Sequence, residues 1–171
     1  MKFIVTRILP VILVTAVAAS GNAMAASSKT DIVSTGLKLG KLMLANGETK
    51  TVKANVAKFH TNGRCMFDAS YVVKNSGPSE ATGNMINILK RDGKLVRRNN
   101  VTNLKPKAKK EFNFLLALTP GDNFLELTLD NSNQIKESNE KNNKISANLK
   151  IVGRCSGKSL PARKKAVNKN K

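Results

Sequence analysis

Oxygen-bearing side chains crowd one short stretch, Asp130 to Asn143, which reads D-N-S-N-Q-I-K-E-S-N-E-K-N-N. Asp130, Asn133, Glu137, Asn139 and Glu140 could supply most of the six to eight oxygens that calcium takes. The pattern is not that of an EF-hand, because Ser132 and Gln134 stand where acids are needed and Ile135 stands at the glycine position. The competing reading is a loop bonded to itself. Asn, Asp and Ser side chains then serve nearby backbone groups, and Ile135 plugs the end of an apolar core. On that reading the chain takes no cofactor; calcium is the one candidate its residues suggest.

Other chemistry finds little support. His60 is the single histidine and sits beside the Asn62-Gly63 dipeptide, so a triad would have to be built around one turn residue. No G-x-S-x-G, H-E-x-x-H or glycine-rich phosphate loop occurs. The expectation is a protein that is not an enzyme.

Charge is the stronger signal. The 171 residues include 30 Lys+Arg against 11 Asp+Glu, a formal net charge of +19. One cluster is Lys90, Arg91, Lys94, Arg97 and Arg98; a second is Lys105, Lys107, Lys109 and Lys110. A third is the C-terminal segment, where Arg154, Lys158, Arg163, Lys164, Lys165, Lys169 and Lys171 stand without an acidic residue. Such surfaces attract polyanions over a Debye length, about 8 Å in physiological salt. Outside the cytoplasm these would be anionic lipid headgroups, lipopolysaccharide, acidic glycans or DNA. With no Trp, one Tyr and six Phe, the chain lacks the aromatic platforms that bases stack on. Sequence-specific nucleic-acid binding is not expected, which leaves salt-sensitive phosphate contacts. The plainer alternative is that lysines solubilise the protein and blunt its strand edges.

The N-terminus bears on the compartment. Lys2 and Arg7 precede an apolar run from Ile8 to Ala19, and Ala23-Met24-Ala25 places small residues where a signal peptidase reads. The run is shorter than the roughly 20 residues that span a bilayer. Residues 1–25 are therefore expected to be a signal peptide, with a signal-anchor as the alternative. The mature chain is expected to have no transmembrane segment and to be periplasmic or secreted. Export lets Cys65 and Cys155, the only two cysteines, form a disulfide. Closing so long a loop stabilises by roughly 4–5 kcal/mol. Free thiols or half a metal site is the weaker reading, given one histidine and no C-x-x-C.

The elements that must carry these residues are strands. Leu125 to Leu129 and Lys144 to Ile151 alternate apolar and polar residues, the period of a half-buried strand. Asn46-Gly47, Asn62-Gly63 and Asp92-Gly93 each suit a type I′ hairpin turn, which requires positive φ at both central residues. Strand-like sequence flanks each: Leu37 to Leu44 and Thr49 to Phe59, Cys65 to Lys74, then Met85 to Lys90 and Lys94 to Arg97. Phe112, Phe114, Leu116 and Leu118 share one face of a further strand. A helix over Thr35 to Ala45 is opposed by Gly36 and Gly40, each costing about 1 kcal/mol. The pattern is an all-β sandwich or barrel. Counting alternate directions brings the start of the Cys65 strand and the end of the Ile145 strand to one end, as a disulfide requires.

The segment from about Cys65 to Gly153 resembles the CARDB module, the cell-adhesion-related domain found in bacteria. The likeness rests on Val73-Lys74-Asn75-Ser76-Gly77, Arg91-Asp92-Gly93, Leu104-Lys105-Pro106-Lys107 and, most specifically, the run from Leu129-Asp130 to Asn143. The chain departs from the family pattern at Lys107, often Gly, and in its N-terminal extension. The resemblance implies an immunoglobulin-like antiparallel β-sandwich used for contacts rather than catalysis. The expected organisation is a signal peptide over 1–25 and an N-terminal β-hairpin extension over 26–62. The sandwich follows over 63–153, and 154–171 is a disordered basic tail. The expected function is adhesion-type contact with a protein or glycan partner. The alternative is a cationic binder of envelope polyanions. A donor-strand partner using Leu37 to Leu44 is a third possibility.

Overall fold

The computed structural model describes residues 29–156. The expected signal peptide over 1–25 and the basic residues Arg163, Lys164 and Lys165 lie outside them.

Alternating side chains fold the chain into two facing sheets. The strands are β1 (Ile32–Val33), β2 (Leu37–Leu39), β3 (Leu42–Leu44), β4 (Thr49–Lys53), β5 (Phe59–Thr61) and β6 (Arg64–Asn75). They continue as β7 (Ala81–Arg91), β8 (Lys94–Leu104), β9 (Lys109–Leu118), β10 (Gly121–Thr128) and β11 (Lys144–Val152). In the first sheet β6 is central: β9 pairs along one side, and β1, β2 and β5 pair along the other, with β3 outside β2. The second sheet runs β4-β11-β10-β7-β8. Its inward positions, among them Met85, Leu89, Leu125, Leu127, Leu149 and Ile151, meet Phe67, Ala69, Tyr71 and Val73 of β6 in one core. This is an immunoglobulin-like β-sandwich. The region from Leu37 to Leu44 is not a helix, as the two glycines suggested, but neither is it one strand: it turns at Gly40-Lys41 into the β2–β3 hairpin.

Two of the three turn dipeptides make hairpins. Asn62 (φ 48°) and Gly63 (φ 70°) join β5 to β6. Asp92 (φ 50°) and Gly93 (φ 75°) join β7 to β8. Asn46-Gly47 does not, and the expected hairpin there is corrected. β3 pairs with β2, and β4 pairs in parallel with β11. The Ser146 N–H donates to Asn46 Oδ1 (2.8 Å), and the Gly47 N–H donates to the Ser146 carbonyl (2.7 Å). The dipeptide carries the chain from one sheet to the other by gripping β11. Nor is Thr49 to Phe59 one strand: a 3₁₀ turn at Ala54–Val56 returns the chain to the first sheet. Residues 29–62 thus supply strands to both sheets.

Cys65 opens β6 and Cys155 follows β11; their Cα atoms stand 5.0 Å apart and the disulfide joins them. It links the two sheets at the end that also bears both hairpins. The opposite end carries the β6–β7, β8–β9 and β10–β11 loops. Because β3 and β4 are the outer strands on one side, and β9 and β8 on the other, the sandwich has two open seams.

Candidate functional site

The loop end is built from self-satisfied polar groups. Asn75, with no exposed surface, donates from Nδ2 to the Ser79 (2.7 Å) and Leu104 (3.0 Å) carbonyls. Its Oδ1 accepts from the Gly77 (3.0 Å) and Asp31 (3.4 Å) N–H groups. A Cβ on Gly77 would lie 2.5 Å from the Lys29 carbonyl, so only glycine fits. The Val73-to-Gly77 motif is thus a joint between four segments.

The Asp130–Asn143 segment follows the same logic. Asp130 Oδ2 accepts the Ile135 N–H (2.7 Å), and Ile135 is buried against the core. Glu140 Oε1 accepts the Glu137 N–H (3.0 Å), and Asn139 Oδ1 accepts that of Lys141 (3.0 Å). Glu137 accepts twice, from the Ile32 N–H (2.6 Å) and from Asn143 Nδ2 (2.9 Å). Asn133 takes φ 49° and its side chain is exposed. The five calcium candidates therefore share one loop, and four of them already accept backbone hydrogen bonds. Among the described residues, no three His, Cys, Asp or Glu side chains are grouped to hold a metal ion. Burial pushes the Glu137 carboxyl up to about 7; its two hydrogen bonds pull the other way, while Glu140 and Asp130 add repulsion.

The basic clusters lie at opposite ends of β8. Lys90, Arg91 and Lys94 flank the Asp92-Gly93 hairpin, whereas Lys105, Lys107, Lys109 and Lys110 flank the loop into β9. Strand rise separates Lys94 from Leu104 by about 33 Å. Several of these cations have internal tasks. Arg91 Nη1 donates to the Ala117 carbonyl (2.5 Å), crossing from one sheet to the other. The Arg97 guanidinium lies 5.5 Å from the Phe114 ring centre, and Lys110 Nζ lies 5.5 Å from that of Phe112. Lys107 Nζ donates to the Ser76 carbonyl. Lys94, Arg98, Lys105 and Lys109 are exposed.

At the disulfide end, basic residues surround exposed apolar ones. Leu95 is 58% exposed, and Val96 and Phe124 are also exposed. Phe124 flanks the hairpin tip, where its N–H donates to Asp92 Oδ1 (2.8 Å). Arg64, Arg91, Val96 and Leu115 line one cleft of about 210 Å³ in the β8–β9 seam. The sequence pattern missed this grouping, since its members come from β6, β7, β8 and β9. His60 is nearby but structural: Nε2 lies 3.1 Å from the Ala54 carbonyl.

The other seam holds a larger cleft of about 610 Å³. Leu39, Leu42, Val52, Val56, Phe67 and Leu149 line it, and Lys41, Lys58 and Asp68 stand at its mouth. Nothing in the local sequence announces it.

Two sheets stapled at one end, with polar loops at the other, define an immunoglobulin-like module with two open seams. The chain belongs to the CARDB family, whose model matches residues 51–147. A crystal structure of the CARDB domain of a Pyrococcus furiosus protein, in complex with di-metal ions, is 19% identical with a TM-score of 0.53; the match covers 72% of this chain and 94% of that one. Its solution structure is 21% identical with a TM-score of 0.50, covering 73% and 97%. A domain named for a cell surface protein of Methanosarcina acetivorans is 23% identical with a TM-score of 0.50, covering 72% and 93%. At these identities the likeness is one of fold. No curated protein matches the chain. Among the described residues, no helix is long and apolar enough to cross a membrane.

Proposed function

We propose that this protein is an exported, non-catalytic contact module that engages a protein or glycan partner in the bacterial envelope or outside the cell. Membership of an adhesion-type family supports the reading, as do the signal-like N-terminus and the disulfide. One observation carries it: Leu95, Val96 and Phe124 are each exposed at the disulfide end, and Arg64 and Arg91 line the cleft beside Val96. Solvent-facing apolar side chains with arginine nearby are typical of interaction surfaces. The test is binding of labelled protein to whole cells and to purified envelope polysaccharide. Leu95→Ser with Val96→Asp should abolish binding while leaving the melting temperature nearly unchanged; retained binding by the folded variant rejects this surface.

A second reading, a binder of envelope polyanions, is favoured by the placement of Arg154 next to Cys155. The disulfide brings the root of the basic segment 154–171 to the end that holds Arg64, Arg91 and Lys94. Deleting residues 158–171 separates the two. Contact with a protein or neutral glycan survives the deletion, whereas polyanion binding weakens and becomes much less sensitive to salt.

A further inference from the structure

We propose that the seam between β3 and β4 binds the hydrocarbon chain of a single-chain anionic amphiphile, such as a medium-chain carboxylate. The floor of this cleft is the core itself: Leu39, Phe67 and Leu149 are buried from bulk solvent yet line it. Leu42 and Val52 form half-buried walls, and Val56, 61% exposed, forms the lip. Its volume of about 610 Å³ lies within the range of small-molecule sites, about 300–1,000 Å³.

The opening follows from the connection between its walls. Asn46-Gly47 hands the chain from β3 to β11, so the β3 and β4 backbones never pair; what spans them is a side-chain bond, Lys50 Nζ donating to the Met43 carbonyl (2.6 Å). An apolar wall without a facing side chain is short of dispersion partners, which a hydrocarbon chain supplies.

The distribution of polar groups selects the occupant. The walls are aliphatic and aromatic carbon, with charged side chains only at the mouth. A sugar or polar peptide would bury hydroxyl or amide groups against them without partners, at a cost of roughly 1–3 kcal/mol each. At the mouth, Lys58 pairs with Asp68 at 2.8 Å. Lys41 is exposed and has no ion-pair partner among the described residues, which leaves the mouth net positive. A chain with one negative head suits both features. A second copy of this protein, at a formal net charge of +19, would meet repulsion.

The experiment uses methyl-labelled protein titrated with decanoate below its micelle concentration and followed by NMR. Expected are saturable shifts of the Leu39, Leu42, Val52 and Leu149 methyls and a ligand-dependent rise in melting temperature. Val52→Phe, which fills the cleft, should abolish the shifts. Lys41→Glu should weaken decanoate roughly tenfold, the worth of one charge-assisted hydrogen bond, whereas Lys105→Glu at the far end should change nothing. Decyltrimethylammonium should bind more weakly than decanoate. The proposal is overturned if these methyls stay in place, if folded Val52→Phe binds as wild type does, or if Lys105→Glu weakens decanoate as much as Lys41→Glu. Equal binding of the cationic chain overturns it as well.

Discussion

Glu137 Oε2 accepts the backbone N–H of Ile32 at 2.6 Å, across 105 positions of sequence. The bond ties β1, which pairs with the end of β6 in the first sheet, to the loop joining the last two strands of the second. Thr30 adds a second tie, its Oγ1 donating to the Lys136 carbonyl at 2.7 Å. The N-terminal strand is thereby clasped by the loop between β10 and β11.

That carboxyl makes stability depend on pH. Its value of about 7 in the folded state is above the ordinary 4.5, so the folded protein holds this proton more tightly than the unfolded chain does. The contribution is complete below pH 4.5, is lost as pH rises through 7, and is flat beyond. The contribution amounts to about 2 kcal/mol. In Glu137→Gln the amide oxygen still accepts from Ile32, and Asn143 can turn its otherwise unpaired Oδ1 to the new donor. Melting curves at pH 5 and pH 8 should therefore show a larger fall for wild type than for this variant. Parallel falls reject the assignment.

Asn75 should be among the least replaceable polar residues. Asn75→Ala removes four hydrogen bonds, among them the one to the buried Leu104 carbonyl, a loss of roughly 3 kcal/mol or more. Urea denaturation reads it directly. A change under about 1 kcal/mol, the ordinary effect of a point substitution, would show that the joint is not a stabilising unit.

The disulfide should contribute roughly 4–5 kcal/mol by closing its long loop. Cys65→Ser/Cys155→Ser is expected to unfold at markedly lower denaturant concentration than wild type. Protein isolated without reductant should resist thiol alkylation even when denatured. Rapid labelling of two cysteines in native protein would contradict the bridge.

The two ends of β8 should behave differently toward a polyanion. If the disulfide end binds, Lys94→Glu lowers the slope of log affinity against log salt by about 1 for each phosphate no longer neutralised. Lys105→Glu, at the loop end, leaves the slope unchanged. Equal effects on heparin or DNA retention would indicate diffuse attraction by net charge rather than a surface.

How much was legible depends on how far apart the interacting residues lie. The hairpins at Asn62-Gly63 and Asp92-Gly93 were readable because the positive φ that a type I′ turn needs is set by the dipeptide itself. The disulfide was readable from a count of two cysteines and a count of strand directions. The identical logic failed at Asn46-Gly47, because the partner that decides its conformation is Ser146, 100 positions away. The loop from Asp130 to Asn143 was recognisable by composition, and Ile135 was expected at the core. That Glu137 would reach Ile32 was not.

By itself, then, the sequence determined an all-β chain with its strand alternation, two of its turns, its single bridge and its positive charge. These are properties of neighbouring residues or of simple counts. Only the tertiary structure decided that β4 runs parallel to β11, that the basic clusters part to opposite ends, and that an apolar cleft opens between β3 and β4. Each of these depends on which strands stand at the edges of the two sheets. Edge position is a product of pairings distant in sequence, whose free energies no local pattern contains.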